Sequence, residues 1–268
     1  MLNNFFSSFS FSWISDQGKH RANNEDAQLC LNNDGVYFVA DGMGGGQEGE
    51  VASHIVIHYL RQMLQDTGNE SPGERKQCLN SALNKAHDKI HEYALARNYS
   101  FMGTTVAGII FNPWNFPSAV LCHVGDSRIY RVRQNTLELL TIDHTLENAL
   151  LFSHRKLNER FTGLLTHAIG MKGHLRIDYV STDLQGKDIF LLCTDGLSRT
   201  LDDPSIQEIV TTANIEDVPH KLVQAVANAD GKDNTTIIVV QIPEIIPDVI
   251  SKSDVDVAES RYLEELQD

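Results

Sequence analysis

Apolar residues along the chain switch between two periods. A continuous apolar run, "GVYFVAD" at residues 35–41, reads as a buried strand. After it, Val51, Ile55, Tyr59 and Met63 recur every four residues, which predicts a helix over about 47–65. "SPGE" at 71–74 interrupts the chain and starts a second helix. Its apolar face, Leu79, Ala82, Leu83, Ala86, Ile90, Tyr93 and Ala94, keeps helical period to about Ala96. Four strand-like runs follow: "TTVAGIIF", "SAVLCHV", "RIYRVR" and "LELLTI". The short links "GDS" and "QNT" suit an antiparallel meander.

The second half repeats the alternation. Residues 145–165 are weakly helical, and "DIFLLCTDG" is another buried strand. Helical stretches are expected at 204–212 and 216–229, and "NTTIIVVQI" closes as a β-branched strand. Near the start, Phe9, Phe11 and Trp13 alternate with serines, the period of a half-buried strand. Strands grouped apart from helix pairs predict a layered α+β domain over 1–243. Residues 244–268 change character, with eight acidic residues against two basic, and read as an acidic tail or docking helix.

The chain has 22 Lys and Arg against 36 Asp and Glu, a formal charge of −14. That balance argues against nucleic acid or an anionic membrane as partner. No stretch approaches the ~20 apolar residues of a membrane span, and the N-terminus lacks the positive region of a signal peptide. Cys30, Cys78, Cys122 and Cys193 are far apart, three of them in apolar runs. Free thiols and a cytoplasmic location are expected.

The acidic residues have a pattern of their own. "VADG" (Asp41), "HVGDS" (Asp126) and "CTDG" (Asp195) follow apolar strands, and "GKDN" (Asp233) precedes one. Asp-Gly is ordinary turn chemistry, yet four carboxylates at strand rims could converge on a hard cation, which prefers oxygen donors. Upstream, "SDQGKHRANNEDA" sets Arg21 four residues before Glu25 and Asp26, a fixed charge suited to a phosphate. His54/His58 and His87/His91 have zinc-compatible spacing but no third ligand, so they read as ordinary helix histidines.

In order, "RANNED", "DGMGG", "GTT", "GDSR", "HAIG", "TDGLS" and "DNTT" resemble the metal-dependent protein phosphatases, the PPM or type 2C serine/threonine family, in its bacterial branch. The resemblance implies two antiparallel sheets in a β-sandwich flanked by helix pairs, a four-layer α-β-β-α fold. It implies two Mn²⁺ or Mg²⁺ ions, with a third, weaker one in bacterial members. Asp41 would bridge the pair, the Gly42 carbonyl would assist one of them, and Asp195 and Asp233 would complete the first ion's shell. Asp126 with Asp195 would hold the third ion. Glu25 would act through metal-bound water, Asp26 and Asp16 would orient the shell from behind, and Arg21 would clamp the substrate phosphate. Water activated between the ions would attack phosphorus in line, without a phosphoenzyme.

The implied substrates are phosphorylated proteins, among them a Ser/Thr kinase and its targets, dephosphorylated by a cytoplasmic monomer. Two departures stand out. Met43 replaces a histidine that is the general acid in many eukaryotic relatives, and Gly46 replaces a histidine of many bacterial ones. His144 and His167 fall in family motifs and are expected to support the structure, with His123 behind the site. The alternative is a silent pseudophosphatase that binds phosphoproteins. It would lack one of Asp41, Asp195, Asp233 or Arg21, and all four are present.

Overall fold

The computed structural model describes residues 8–44, 48–68, 70–112, 118–151 and 163–244. The acidic tail beyond Glu244, Gly46 and the middle of the 145–165 stretch lie outside the described residues.

Two antiparallel sheets form the centre. The first has the order β1 (Ser10–Asp16), β11 (Thr235–Gln241), β10 (Ile189–Cys193), β7 (Arg128–Arg133) and β8 (Thr136–Leu139). In the second the order is β2 (Asp26–Leu31), β3 (Val36–Met43), β5 (Val106–Asn112), β6 (Ser118–Val124) and β9 (Asp178–Asp183), with β4 (Gly103–Thr104) beside β3.

Strands with both faces covered explain why the apolar runs are continuous. Along β3, Tyr37 and Val39 enter the layer between the sheets with Ile109, Phe111, Leu121, Phe190 and Ile238. Val36, Phe38 and Ala40 point the other way, against α1 (Gly49–Leu64) and α2 (Pro72–Ala96). On the far side, Ile237 and Val239 of β11 pack with Ile206 and Val210 of α5 (Asp203–Thr212) and Leu222 of α6 (Val218–Asn228). The described residues also include two short helices, α3 (Leu146–Leu151) and α4 (Asp195–Ser198), and a 3-10 turn at Asn32–Asp34. The result is the expected four-layer sandwich.

Helix starts follow the sequence signals. Ser71 caps α2 in a reciprocal box with Glu74, and Asp202 caps α5 by accepting from the Ser205 N–H at 3.1 Å. The four cysteines are free thiols. Among the described residues, no helix is long and apolar enough to cross a membrane.

The expected meander is only half present. β5 pairs with β6 and β7 with β8, but "GDS" carries the chain from one sheet to the other, and β6 takes β9 as its second neighbour. Gly125, at φ +105°, supplies the backbone for that crossover.

Candidate metal centre

One end of the sandwich collects the acidic turns. Asp26 and Asp41 face each other across the β2–β3 ladder, at the first residue of β2 and near the end of β3. Asp126 lies in the crossover after β6, and Asp195 follows β10 at the head of α4. Asp233 precedes β11, whose first residue Thr235 is opposite Asp16 at the end of β1. Antiparallel pairing thus delivers six separate stretches to one rim.

The carboxylates sense one another strongly. Burial holds the Asp41 pKa well above the carboxylate range, and the charges of Asp26, Asp195, Asp126 and Asp233 push it further. Burial lifts Asp26 to about 7 against hydrogen bonds from Thr236 and Thr194, with Asp195 and Asp233 adding to the rise. Asp126 rises to about 6 through burial and Asp195, opposed by Arg199. Asp195 rises through burial too, with Arg199 opposing and Asp233 adding to the rise. Glu25 is raised by burial and by Glu50, an acidic residue at the start of α1 that sequence reasoning did not single out.

Backbone and hydroxyl contacts fix this arrangement. The Asp41 N–H donates to Thr105 Oγ1 at 3.0 Å, and its carbonyl accepts from the Thr105 N–H at 2.9 Å and the Thr104 hydroxyl at 2.9 Å. Thr194 Oγ1 donates to Asp26 Oδ2 at 2.8 Å. Asp16 Oδ1 accepts from the Gly18 N–H at 2.8 Å, shaping the loop that carries Arg21. Gly42 donates to the Glu25 carbonyl at 3.0 Å. A Cβ at Gly42 would lie 2.1 Å from the Gly49 carbonyl oxygen, so only glycine lets β3, α1 and the Glu25 loop meet here.

Two guanidinium groups lie among the acids. Arg21 Nη2 donates to Asp233 Oδ2 at 2.5 Å from a half-exposed position. Arg199 reaches both Asp126 and Asp195. Sequence reasoning missed Arg199, although its place four residues after Asp195 on a helical turn was a legible signal. It also missed Asn234 as a structural hub. The Asn234 side chain accepts from the Glu25 N–H at 2.9 Å and donates to the Gln17 and Asn23 carbonyls at 2.8 and 3.0 Å.

The donor set fits hard divalent cations. Asp26 Oδ1 and Asp195 Oδ1 are buried without a protein partner, an expensive state unless something positive reaches them. Among the described residues, no group of three or more His, Cys, Asp or Glu side chains is placed to hold a metal ion by itself. An open set of carboxylates is what Mg²⁺-like ions favour, because they keep several waters.

Other candidates fall away. Burial drives the Cys193 thiol up to about 12, which removes it as a nucleophile. His87 and His91 stack on each other, and His87 Nδ1 accepts from the Gly170 N–H at 3.1 Å. His123, His144 and His167 meet edge to face with ring centroids 4.7 and 5.3 Å apart. In that cluster His144 Nδ1 accepts from the Gly125 N–H at 3.2 Å, supporting the turn that presents Asp126. Burial lowers His123 to about 3, so it is a neutral core ring.

Known proteins share this plan. The protein phosphatase 2C family profile matches residues 18–228. Protein phosphatase PhpP of Streptococcus pneumoniae is 32% identical over 244 residues, covering 87% of this chain and 97% of PhpP. Among solved structures, PppA, a regulatory component of the type VI secretion system in Pseudomonas aeruginosa, superposes with a TM-score of 0.79. It is 29% identical, covering 87% of this chain and 96% of PppA. The catalytic domain of the serine/threonine phosphatase PstP, in complex with two manganese ions, gives 0.77 at 29% identity, over 88% of this chain and 99% of that one.

Proposed function

The chain belongs to the protein phosphatase 2C family, and from that premise we propose that it hydrolyses phosphoserine and phosphothreonine in proteins, using Mn²⁺ or Mg²⁺. The observation that carries this reading is the convergence of Asp41, Asp126, Asp195 and Asp233 on one rim, each an oxygen donor and three of them made weaker acids by burial and one another.

Asp41, the Gly42 carbonyl, Asp195 and Asp233 would hold two ions, with Asp26, Glu25 and Asp16 fixing the surrounding oxygens. When bound, such ions lower the pKa of water and neutralise charge on a transferring phosphoryl group. Thr194 holds the Asp26 carboxylate in place, and Thr104 and Thr105 fix the Asp41 backbone. Arg21 exchanges Asp233 for the incoming phosphate, a bidentate anion that its planar fork matches. Asn234 sets where that fork sits, by tying the Gln17, Asn23 and Glu25 backbone together. Met43 has no proton to give, so the leaving alkoxide takes its proton from water.

The substrates in this reading are phosphorylated proteins in the cytoplasm, and the reaction opposes a Ser/Thr kinase. PstP with two manganese ions supports the cofactor assignment by analogy. The retention of Asp41, Asp195, Asp233 and Arg21 favours an enzyme over a silent binding module.

The test compares wild type with Asp41→Asn on p-nitrophenyl phosphate and a phosphothreonine peptide, with EDTA and with added Mn²⁺. Turnover that requires Mn²⁺ and falls by at least ~10³-fold in Asp41→Asn is expected, given how much of phosphoryl transfer rests on charge neutralisation. Folded wild type that stays inactive with Mn²⁺ overturns the enzyme reading.

A further inference from the structure

Arg199 stands where the family resemblance would place a third cation. It is the residue directly after α4, and its backbone N–H donates to the Asp195 carbonyl at 2.8 Å. From there its side chain spans two carboxylates. Nε is 2.8 Å from Asp195 Oδ2, and Nη2 donates to Asp126 Oδ2 at 2.7 Å. Asp195 and Asp126 are 8% and 5% exposed, while the Arg199 side chain is half in solvent. One permanent positive charge thus sits between the two acids expected to bind the extra ion.

The seat is shaped for this group. Gly163, at φ +76°, lies against it, and a Cβ there would approach both terminal nitrogens to 3.0 Å. Nη2 is also 3.5 Å from the Gly163 carbonyl oxygen. The same guanidinium lines a cleft of about 510 Å³ that runs from Asp126 and Asp195 to Asp143, Glu147 and Asn148.

A divalent ion between Asp126 and Asp195 would compete with Arg199 for their Oδ2 atoms. It would also sit against a like charge in a partly buried site. The side chains present therefore do not fit a third ion. We infer that Arg199 is a built-in replacement for the third cation, so that this phosphatase binds two divalent ions, and that the guanidinium ties the turn at Gly163 to the metal cluster. This inference rests on the two-ion reading above and deepens it.

Ion counting tests it directly. Wild type, Arg199→Ala and the near-isosteric Arg199→Gln are dialysed to equilibrium against a rising Mn²⁺ series, and bound metal per folded chain is measured by elemental analysis. Wild type should saturate at two ions. Both variants should gain a third, weaker one, and Asp126→Asn added to either should remove it. A third ion in wild type, or no gain in folded variants, overturns the inference and leaves the two-ion reading standing. Fewer than two ions in wild type overturns both.

Discussion

Asp26 and Asp41 occupy opposing positions of one antiparallel ladder, and each holds its proton more tightly in the fold than an exposed aspartate does. Asp26 moves from 3.8 to about 7. A native state that binds more protons than the unfolded one loses stability as pH rises. In EDTA-stripped protein the favourable contribution is complete below the ordinary value of 3.8 and disappears as pH climbs through about 7. The melting temperature of stripped protein should therefore fall between about pH 4 and about pH 7. Added Mn²⁺ should restore it at the higher pH, because a ligand that binds only the folded state stabilises it. Thermal melts across pH with and without Mn²⁺ check this, and a flat stripped profile would contradict it.

Arg21 gives a sharper kinetic expectation. Its guanidinium is half exposed and paired with Asp233, so it is available to a phosphate without unfolding anything. Arg21→Ala should lower kcat/KM for a phosphothreonine peptide by ~10–100-fold, or about 1.4–2.8 kcal/mol of transition-state binding. Arg21→Lys should recover only part of that, since an ammonium cannot make the two-pronged contact. Mn²⁺ affinity should not fall, because Asp233 loses a competing cation. Steady-state kinetics over a Mn²⁺ titration separate the two effects.

Asn234 should matter for stability and activity together. Its amide satisfies one N–H and two carbonyls in the loop that presents Arg21 and Glu25. Removing three largely buried bonds costs roughly 2–3 kcal/mol. Asn234→Ala should lower the urea midpoint accordingly and raise KM for the phosphopeptide. Asn234→Asp, which keeps the acceptor but loses both donors, should fall in between if hydrogen bonding is the cause.

The elements most legible in the sequence are those buried on both faces or on one helical stripe. β3, β10 and β11 read as unbroken apolar runs because helices cover one face and the opposite sheet the other. β9, "DYVSTD", escaped because it is an edge strand with mostly polar, accessible side chains. β2 was hidden by the charged run before it, which ends at Asp26, the strand's own first residue. The crossover at Gly125 could not be read locally, because a tight hairpin and a change of sheet use the same turn residues. At the site, the acids announced themselves by their position after apolar strands. Arg199 was legible only through its spacing from Asp195, and Asn234 not at all, because their other partners lie 73 and 209 residues away in sequence.

Gly42 ties the fold to the chemistry, and the contrast with Gly73 isolates the reason. A Cβ at Gly42 would fall 2.1 Å from the Gly49 carbonyl oxygen and 2.6 Å from the Glu25 carbonyl oxygen. Both obstacles are backbone, so neither can rotate away. Gly42→Ala must push the first turn of α1 or the Glu25 loop off β3, at a cost of about 3 kcal/mol or more if the strain is comparable to core overpacking. At Gly73, in the first turn of α2, the nearest atom to an added Cβ is Ser71 Oγ at 4.0 Å. Gly73→Ala should be neutral or stabilise by up to about 1 kcal/mol through reduced backbone entropy of the unfolded chain. Paired melts distinguish a packing requirement from a general penalty for losing glycine. If Gly42→Ala melts like wild type and still gives full Mn²⁺-dependent turnover, the close approach of β3 to α1 is not what positions the Asp41 rim.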